Sequence, residues 1–273
     1  MRKGILLAAV ILLVATGLAQ AQEGALSGTF DITFLSSHIW RGFDVYPNNH
    51  PALRPSIDLN LYDTGVGVKI LHSRAIADNG FENDEGIELT LYYGNNLFEG
   101  ETYTTDYKVG WVYYNYPDEP VRAAHMQEIF ASLSMPELCP LGVVPSYTIV
   151  CMWPAKSNSM VSTNGGWLHI MGLSYDLAVP GLLPEIPEQI LHLSGELVYN
   201  DGAAPGSLNP PATPAGGARV DHDWSHAVLG VSTNFDLTED VTLTPGLYHQ
   251  MSMEDTVNPE DEWWLSLSLS YKF

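Results

Sequence analysis

The chain has 273 residues, 32 acidic against 11 basic, for a formal net charge of −21. That balance excludes nucleic-acid binding, whose affinity comes from lysine and arginine. Beyond the N-terminus no apolar run approaches the ~20 residues of a membrane helix, so a membrane-embedded form of this chain must be a closed β-barrel.

The N-terminus opens with Arg2 and Lys3, continues with apolar residues from Gly4 to Ala15, and reaches Ala19-Gln20-Ala21. A basic start, a short apolar run and a small-x-small site read as a signal peptide of residues 1–21. No cysteine follows the site, which argues against a lipid anchor. The expected mature domain is 22–273, with 9 basic residues left against 32 acidic once Arg2 and Lys3 are lost.

Alternating runs bounded by Gly, Pro, Asn and Asp then recur to the end of the chain. They predict strands at 26–36, 56–63, 65–75, 85–94, 102–115, 122–135, 142–153, 165–178, 188–200, 222–237, 240–252 and 261–273. Twelve is an even number, as bacterial single-chain barrels require. The faces are consistent along the chain. In "EGIELTLYYG", Ile87, Leu89, Leu91 and Tyr93 oppose Glu88, Thr90 and Tyr92. In "TYTTDYKVGWVYYN", Tyr107, Val109, Trp111 and Tyr113 oppose Asp106, Lys108 and Gly110. In "QILHLSGELVYN", Leu191, Leu193, Leu197 and Tyr199 oppose His192, Ser194 and Glu196. Ionised groups mid-strand on a constant face suit a polar lumen better than a soluble core.

The last run, "EWWLSLSLSYKF", places Trp263, Leu265, Leu267, Leu269, Tyr271 and Phe273 on one face. Aromatic residues at both ends of an aliphatic band match the girdles of a transmembrane strand. Tyr271 and the C-terminal Phe273 resemble the terminal signal read by the outer-membrane barrel-assembly machinery. The connections alternate too. "DTG", "NNLFEGE", "PELCPLG", "VPGLLPEIPE" and "LTED" read as periplasmic turns. Most of the other connections are longer, and one is "DGAAPGSLNPPATPAGGARVD". The sequence therefore predicts an all-β fold: a transmembrane antiparallel up-and-down β-barrel of about twelve strands. Short turns lie on the periplasmic rim, longer acidic loops lie outside, and the location is the bacterial outer membrane.

The stretch "FDITFLSSHIWRGFDVYPNNHPALRPSIDLNLYDTGVGVKI" carries Ser37-x-x-x-Arg41-Gly42, then Pro51-Ala52, a strand, and Gly65-x-Gly67. It resembles the TorF-type porins, the Gcw_chp family of outer-membrane proteins, over residues 30–71. The family pattern has an aromatic residue soon after the serine, a region filled here by His38 and Trp40. The resemblance implies an outer-membrane barrel with a transport function and supplies no catalytic residues. Two roles suit Arg41 at the end of the first strand. It could fold inward onto lumen carboxylates, or snorkel to headgroups beside an interfacial Trp40.

Enzyme signatures are missing from the sequence: there is no G-x-S-x-G, H-E-x-x-H or P-loop. The nearest approach to a lipid-cleaving site is His169, beside Trp167 and Met171, and an interfacial histidine is the plainer reading. Asp221, His222, Asp223 and His226 in "DHDWSH" hold donors for a transition metal, but alternation splits them between faces. Asp78, Asn79, Glu82, Asp84 and Glu85 would suit divalent cations such as calcium, without EF-hand spacing. No metal site and no cofactor is assigned. Cys139 falls in a turn and Cys151 far along the next strand. Eight residues rise roughly 26 Å, well past the ~7 Å reach of a disulfide, so both are expected to be free thiols.

Eight charged residues are expected to face the lumen: Asp58, Lys69, Glu88, Asp106, Lys108, Glu128, Glu196 and Lys272. They would line a pore for passive diffusion of small polar solutes, its acidic excess favouring cations, or form a salt-bridged filling. Twelve strands lie between the filled eight-stranded barrels and the open porins. The alternative to a channel is a non-conducting structural or adhesion barrel acting through the 201–221 loop.

Overall fold

Alternation gives each strand one face for lipid and one for the interior, and the fold follows from pairing those strands until no edge is left. The computed structural model describes residues 26–46, 50–62, 64–76, 85–117, 125–155, 165–181, 187–204 and 220–273. Twelve long strands result. They are β1 (Leu26–Leu35), β2 (Ala52–Leu61), β3 (Val66–Ala75), β4 (Glu85–Leu97), β5 (Thr105–Asn115) and β6 (Met126–Ser134). The second half comprises β7 (Val144–Pro154), β8 (Gly166–Pro180), β9 (Glu188–Asp201), β10 (His222–Thr233), β11 (Val241–Ser252) and β12 (Glu262–Lys272). Each pairs antiparallel with its chain neighbour, and β1 pairs with β12, so the sheet closes.

The seam is fastened from end to end. The Phe273 N–H donates to the Gly28 carbonyl at 3.1 Å, and the Gly28 N–H returns a bond to the Phe273 carbonyl at 3.0 Å. Inside, Thr33 and Ser268 share a hydroxyl bond of 2.9 Å and the Ser270 hydroxyl donates to Asp31. The C-terminal residue thus completes the ladder that abolishes the barrel's edge.

The outward face is apolar where a water-soluble protein would be polar. Leu265, Leu267 and Leu269 are 57%, 45% and 42% exposed. Ile70, Leu91, Val109, Ile129, Leu173 and Leu229 are exposed on the other strands. Aromatic pairs bound this belt: His249–Trp263 and Tyr199–Trp224 towards one rim, Tyr93–Tyr107 and Tyr271–Phe273 towards the other. The rim carrying both ends of the barrel has connections of four to nine residues, and the opposite rim has connections of nine to twenty. That asymmetry makes the first rim periplasmic.

Several predicted boundaries shift. β6 begins at Met126, four residues later than expected, so the short external connection "NYPDEP" belongs to a longer one, 116–125. β8 and β9 run to Pro180 and from Glu188, which shortens the expected "VPGLLPEIPE" turn to 181–187. The run expected at 222–237 breaks after Thr233, and Phe235–Asp236 pair separately with β11. A shift of the same size falls in β2, which starts at Ala52 and runs straight through Pro55. Proline has no N–H to give a ladder, and the β2–β3 register is interrupted between Leu53 and Ser56. The β1 ladder on the other side continues unbroken through Pro55↔Ile32.

Three cross-strand pairs place a lumen glycine opposite an aromatic ring: Gly67↔Tyr92, Gly110↔Phe130 and Gly230↔Tyr248. A Cβ on Gly67 would lie 2.1 Å from the Tyr92 ring, one on Gly110 2.6 Å from Phe130, and one on Gly230 2.7 Å from Tyr248. Each ring lies flat over its glycine, covering bare backbone and keeping its bulk against the wall. Tyr92 is held there by donating to Asp58 at 2.7 Å, with the Lys108 ammonium 4.5 Å above its ring.

A Gly67→Val substitution is therefore expected to displace the Tyr92 ring and destabilise the barrel by about 1–3 kcal/mol. Gly195→Ala, whose added carbon meets only a flexible Leu229 carbon at 3.6 Å, should stay within about 0.5 kcal/mol. Urea-unfolding midpoints of the two variants in detergent micelles compare them directly, and equal midpoints would contradict the packing described.

Candidate functional site

The first external connection does not project outward. After β1 the chain turns back on itself, and Ile39–Trp40 pair with Phe43–Asp44 around a two-residue tip. Arg41 (φ 51°) and Gly42 (φ 92°) both take positive φ, the requirement of a type I′ turn. Glycine suits such a turn; arginine in that conformation costs about 1–2 kcal/mol. Its side chain offsets the strain by reaching a buried carboxylate across the lumen.

Arg41 Nη2 donates to Glu128 Oε1 on β6 at 2.8 Å, and Nη1 lies 3.7 Å from the Met152 sulfur on β7. The Glu128 side chain is only 2% exposed. Burial, the largest single effect, pulls the Arg41 guanidinium downward, but the charge and hydrogen bond of Glu128, with Tyr114 and Glu88 nearby, together hold the group above its ordinary value. On the opposite side Gln250 of β11 donates to the Gly42 carbonyl at 2.9 Å. Trp40 meets Tyr114 edge-on at 5.3 Å and packs on an apolar cluster that includes Val112, Met126, Val150, Leu168 and Val198. Phe43 packs against Ala204, Val220 and Val257 from the external connections. The hairpin is thus pinned to both walls and covered from outside.

A second ion pair flanks the first. Arg54 of β2 donates to Glu88 of β4 at 3.3 Å. His38, at the base of the hairpin, is buried against Tyr46 with ring centroids 5.4 Å apart. Burial, and then the charge of Arg54, push its imidazole well below the ordinary value, so it stays neutral.

The hairpin occupies the β5–β8 side of the lumen more fully than the β9–β12 side. There a cavity of about 220 Å³ remains, bounded by Arg41 and Gly42 of the hairpin and by Glu196, His226, Tyr248, Gln250 and Trp264 of the wall. Ser194 and Val228 carry its lining to the middle of β9 and β10.

The eight charged residues expected inside do not form one ring. Glu88, Glu128 and Glu196 stand in the external half beside the hairpin. Asp58, Lys69, Asp106, Lys108 and Lys272 stand towards the periplasmic rim, with Asp58 and Lys69 directly opposite each other across β2 and β3. The guanidinium of Arg41 takes the inward of its two roles, and Ser37 is buried beside the hairpin at 1% exposure. Arg54 escaped the sequence reading because Pro51 and Pro55 place it in a loop. Alternation from Ser56 and Asp58 back through the prolines would have set it on the lumen face. Asp31, between Phe30 and Ile32, was equally visible by alternation.

The other candidates disperse. His169 bonds the Tyr147 hydroxyl at 2.7 Å and lies 6.2 Å from the Tyr199 ring, with no serine among its described partners. His222 pairs with Asp201 at the rim, whereas His226 is buried in the lumen against Ser225. Among the described residues no group of three or more His, Cys, Asp or Glu side chains is placed to hold a metal. Cys139 and Cys151 are both free. The expected signal peptide of residues 1–21, most of "DNGFENDEG" and residues 205–219 of the longest loop lie outside the described residues.

An apolar, aromatic-bounded exterior around a charged interior is stable only with lipid outside and water within. The molecule is an outer-membrane β-barrel. No family model matches the sequence, and no curated protein does. Solved structures similar in barrel form include the NanC porin (TM-score 0.49, 10% identity, covering 91% of this chain and 100% of that one). An outer-membrane channel from Pseudomonas putida F1 has a TM-score of 0.49 at 12% identity, covering 93% and 97%. Outer membrane phospholipase A from Escherichia coli has 0.45 at 11%, covering 89% and 92%.

Replacing Arg41 by Met leaves Glu128 buried without its partner, a loss that typically costs about 3–5 kcal/mol. The double variant Arg41→Met/Glu128→Gln should recover much of that stability. A double-mutant cycle in urea with strictly additive losses would contradict a direct interaction.

Proposed function

We propose that this barrel is a narrow channel for passive diffusion of small polar solutes or cations, with the 39–44 hairpin setting its constriction. The observation that carries the proposal is the Arg41–Glu128 pair, which holds a connection inside the lumen that could otherwise lie in solvent. Burying an ion pair is a poor route to stability, so its position in the solute path is the better account of it. The polar wall supports the same reading. Asp106 and Lys272 form no salt bridge among the described residues, as expected of groups facing lumen water. Carboxylates outnumber cations beside the hairpin, which favours positively charged solutes. The resemblance of Ser37, Arg41, Gly42 and Gly67 to the TorF-type porins agrees with a transport role. No catalytic chemistry is part of the proposal. The partners it entails are outer-membrane lipid, assembly machinery acting on the strand ending in Tyr271 and Phe273, and divalent cations at the acidic loops.

A second reading has one specific observation behind it. The apolar cluster around Trp40 fills one side of the external half, as a non-conducting barrel acting through its loops would require.

Single-channel recording from the refolded protein in a planar bilayer under a salt gradient separates the two. The channel reading predicts small cation-selective steps, enlarged when Arg41→Ala and Glu128→Ala are combined. Neutralising Glu88, Asp106, Glu128 and Glu196 together should shift the reversal potential towards zero. Silence from inserted, heat-modifiable protein, persisting in the double variant, would favour the filled barrel.

A further inference from the structure

Beside the hairpin two guanidinium groups face three carboxylates. Arg41 is salt-bridged to Glu128 and Arg54 to Glu88, which leaves Glu196 without a salt bridge or hydrogen bond among the described residues and under only the longer-range charge of Arg41. Glu196 lines the 220 Å³ cavity, and two further features of that cavity ask for the same kind of occupant. Gln250 is fully buried, its amide nitrogen donates to Gly42, and its amide oxygen has no hydrogen-bond partner. An unsatisfied buried acceptor is costly unless a donor arrives. Tyr248 and Trp264, stacked at 5.3 Å with an interplanar angle of 11°, supply an aromatic wall. Aromatic faces attract cations through the ring quadrupole. The volume lies below the ~300–1,000 Å³ of sites for drug-sized ligands, so the occupant is small.

We propose that this cavity is a binding site for a small organic ammonium compound. Its cationic nitrogen is matched to Glu196 and the Tyr248–Trp264 wall, and an N–H or O–H donor satisfies Gln250. An anion is disfavoured because Arg41 is shared between two carboxylates, bonded to Glu128 and within the field of Glu196. A neutral polyol leaves Glu196 with only that shared charge. As a statement about the permeating solute this rests on the channel reading; as a statement about binding it is measured without conduction, so the two can fail separately.

The test is isothermal titration calorimetry on the folded protein in detergent micelles, with ethanolamine and choline as probes and glycerol and acetate as comparisons. Binding of both ammonium probes is expected, weakened at least tenfold by Glu196→Gln and by Trp264→Leu, and unchanged by Glu239→Gln in the exposed β10–β11 turn. Absence of binding by both probes in the wild-type protein would overturn the proposal. So would retention of full affinity in Glu196→Gln, or equally tight binding of glycerol or acetate.

Discussion

The external half of this barrel is organised by one buried charge. Glu128 points into the lumen from β6 with almost no exposure, and an unpaired carboxylate there would cost several kcal/mol. Tyr114 of the neighbouring strand β5 hydrogen-bonds it, but its cationic partner is Arg41, delivered by a chain that turns inward after β1. Everything around the hairpin is consistent with that delivery. The I′ tip aims the guanidinium, Gln250 holds the adjacent carbonyl, and Trp40 and Phe43 fill the apolar ground on either side. Removing Glu128 removes the reason for an arginine in a left-handed turn.

The wall has to accommodate such an insertion without losing its interior. Twelve strands leave only modest room. Laying Tyr92, Phe130 and Tyr248 flat over Gly67, Gly110 and Gly230 keeps large rings out of the centre. The same flattening of Tyr248 lets it stack on Trp264 and form one side of the remaining cavity. Packing of the wall and shape of the candidate path are therefore a single feature.

Much of this was legible in the sequence. Period-two alternation identified the twelve strands and placed Asp58, Lys69, Glu88, Asp106, Lys108, Glu128, Glu196 and Lys272 on the inward face. A side-chain repeat of two leaves no freedom once lipid fixes the other face. Arg54 was lost because two prolines imitate a loop, and only the ladder with β1 carries the strand unbroken through Pro55. The hairpin was half-visible. Arg41-Gly42 marks a tight turn, but nothing local says whether the turn points outward or in. That depends on Glu128, 87 residues away, and on Gln250, 208 residues from Gly42. The cavity was beyond the sequence for the same reason, since five strands and the hairpin must meet to form it.

The central claim is that the hairpin lies inside the lumen against the wall. A Cβ on Gly42 would approach the His226 ring to 2.6 Å, so cysteines replacing both residues would occupy the space the ring vacates. With Cys139 and Cys151 changed to serine, the Gly42→Cys/His226→Cys protein in intact membranes should form an intramolecular disulfide on mild oxidation. It should also resist alkylation by a bulky membrane-impermeant maleimide added from outside. Free alkylation at position 42, with no cross-link, would place the hairpin in the external solvent and contradict the account.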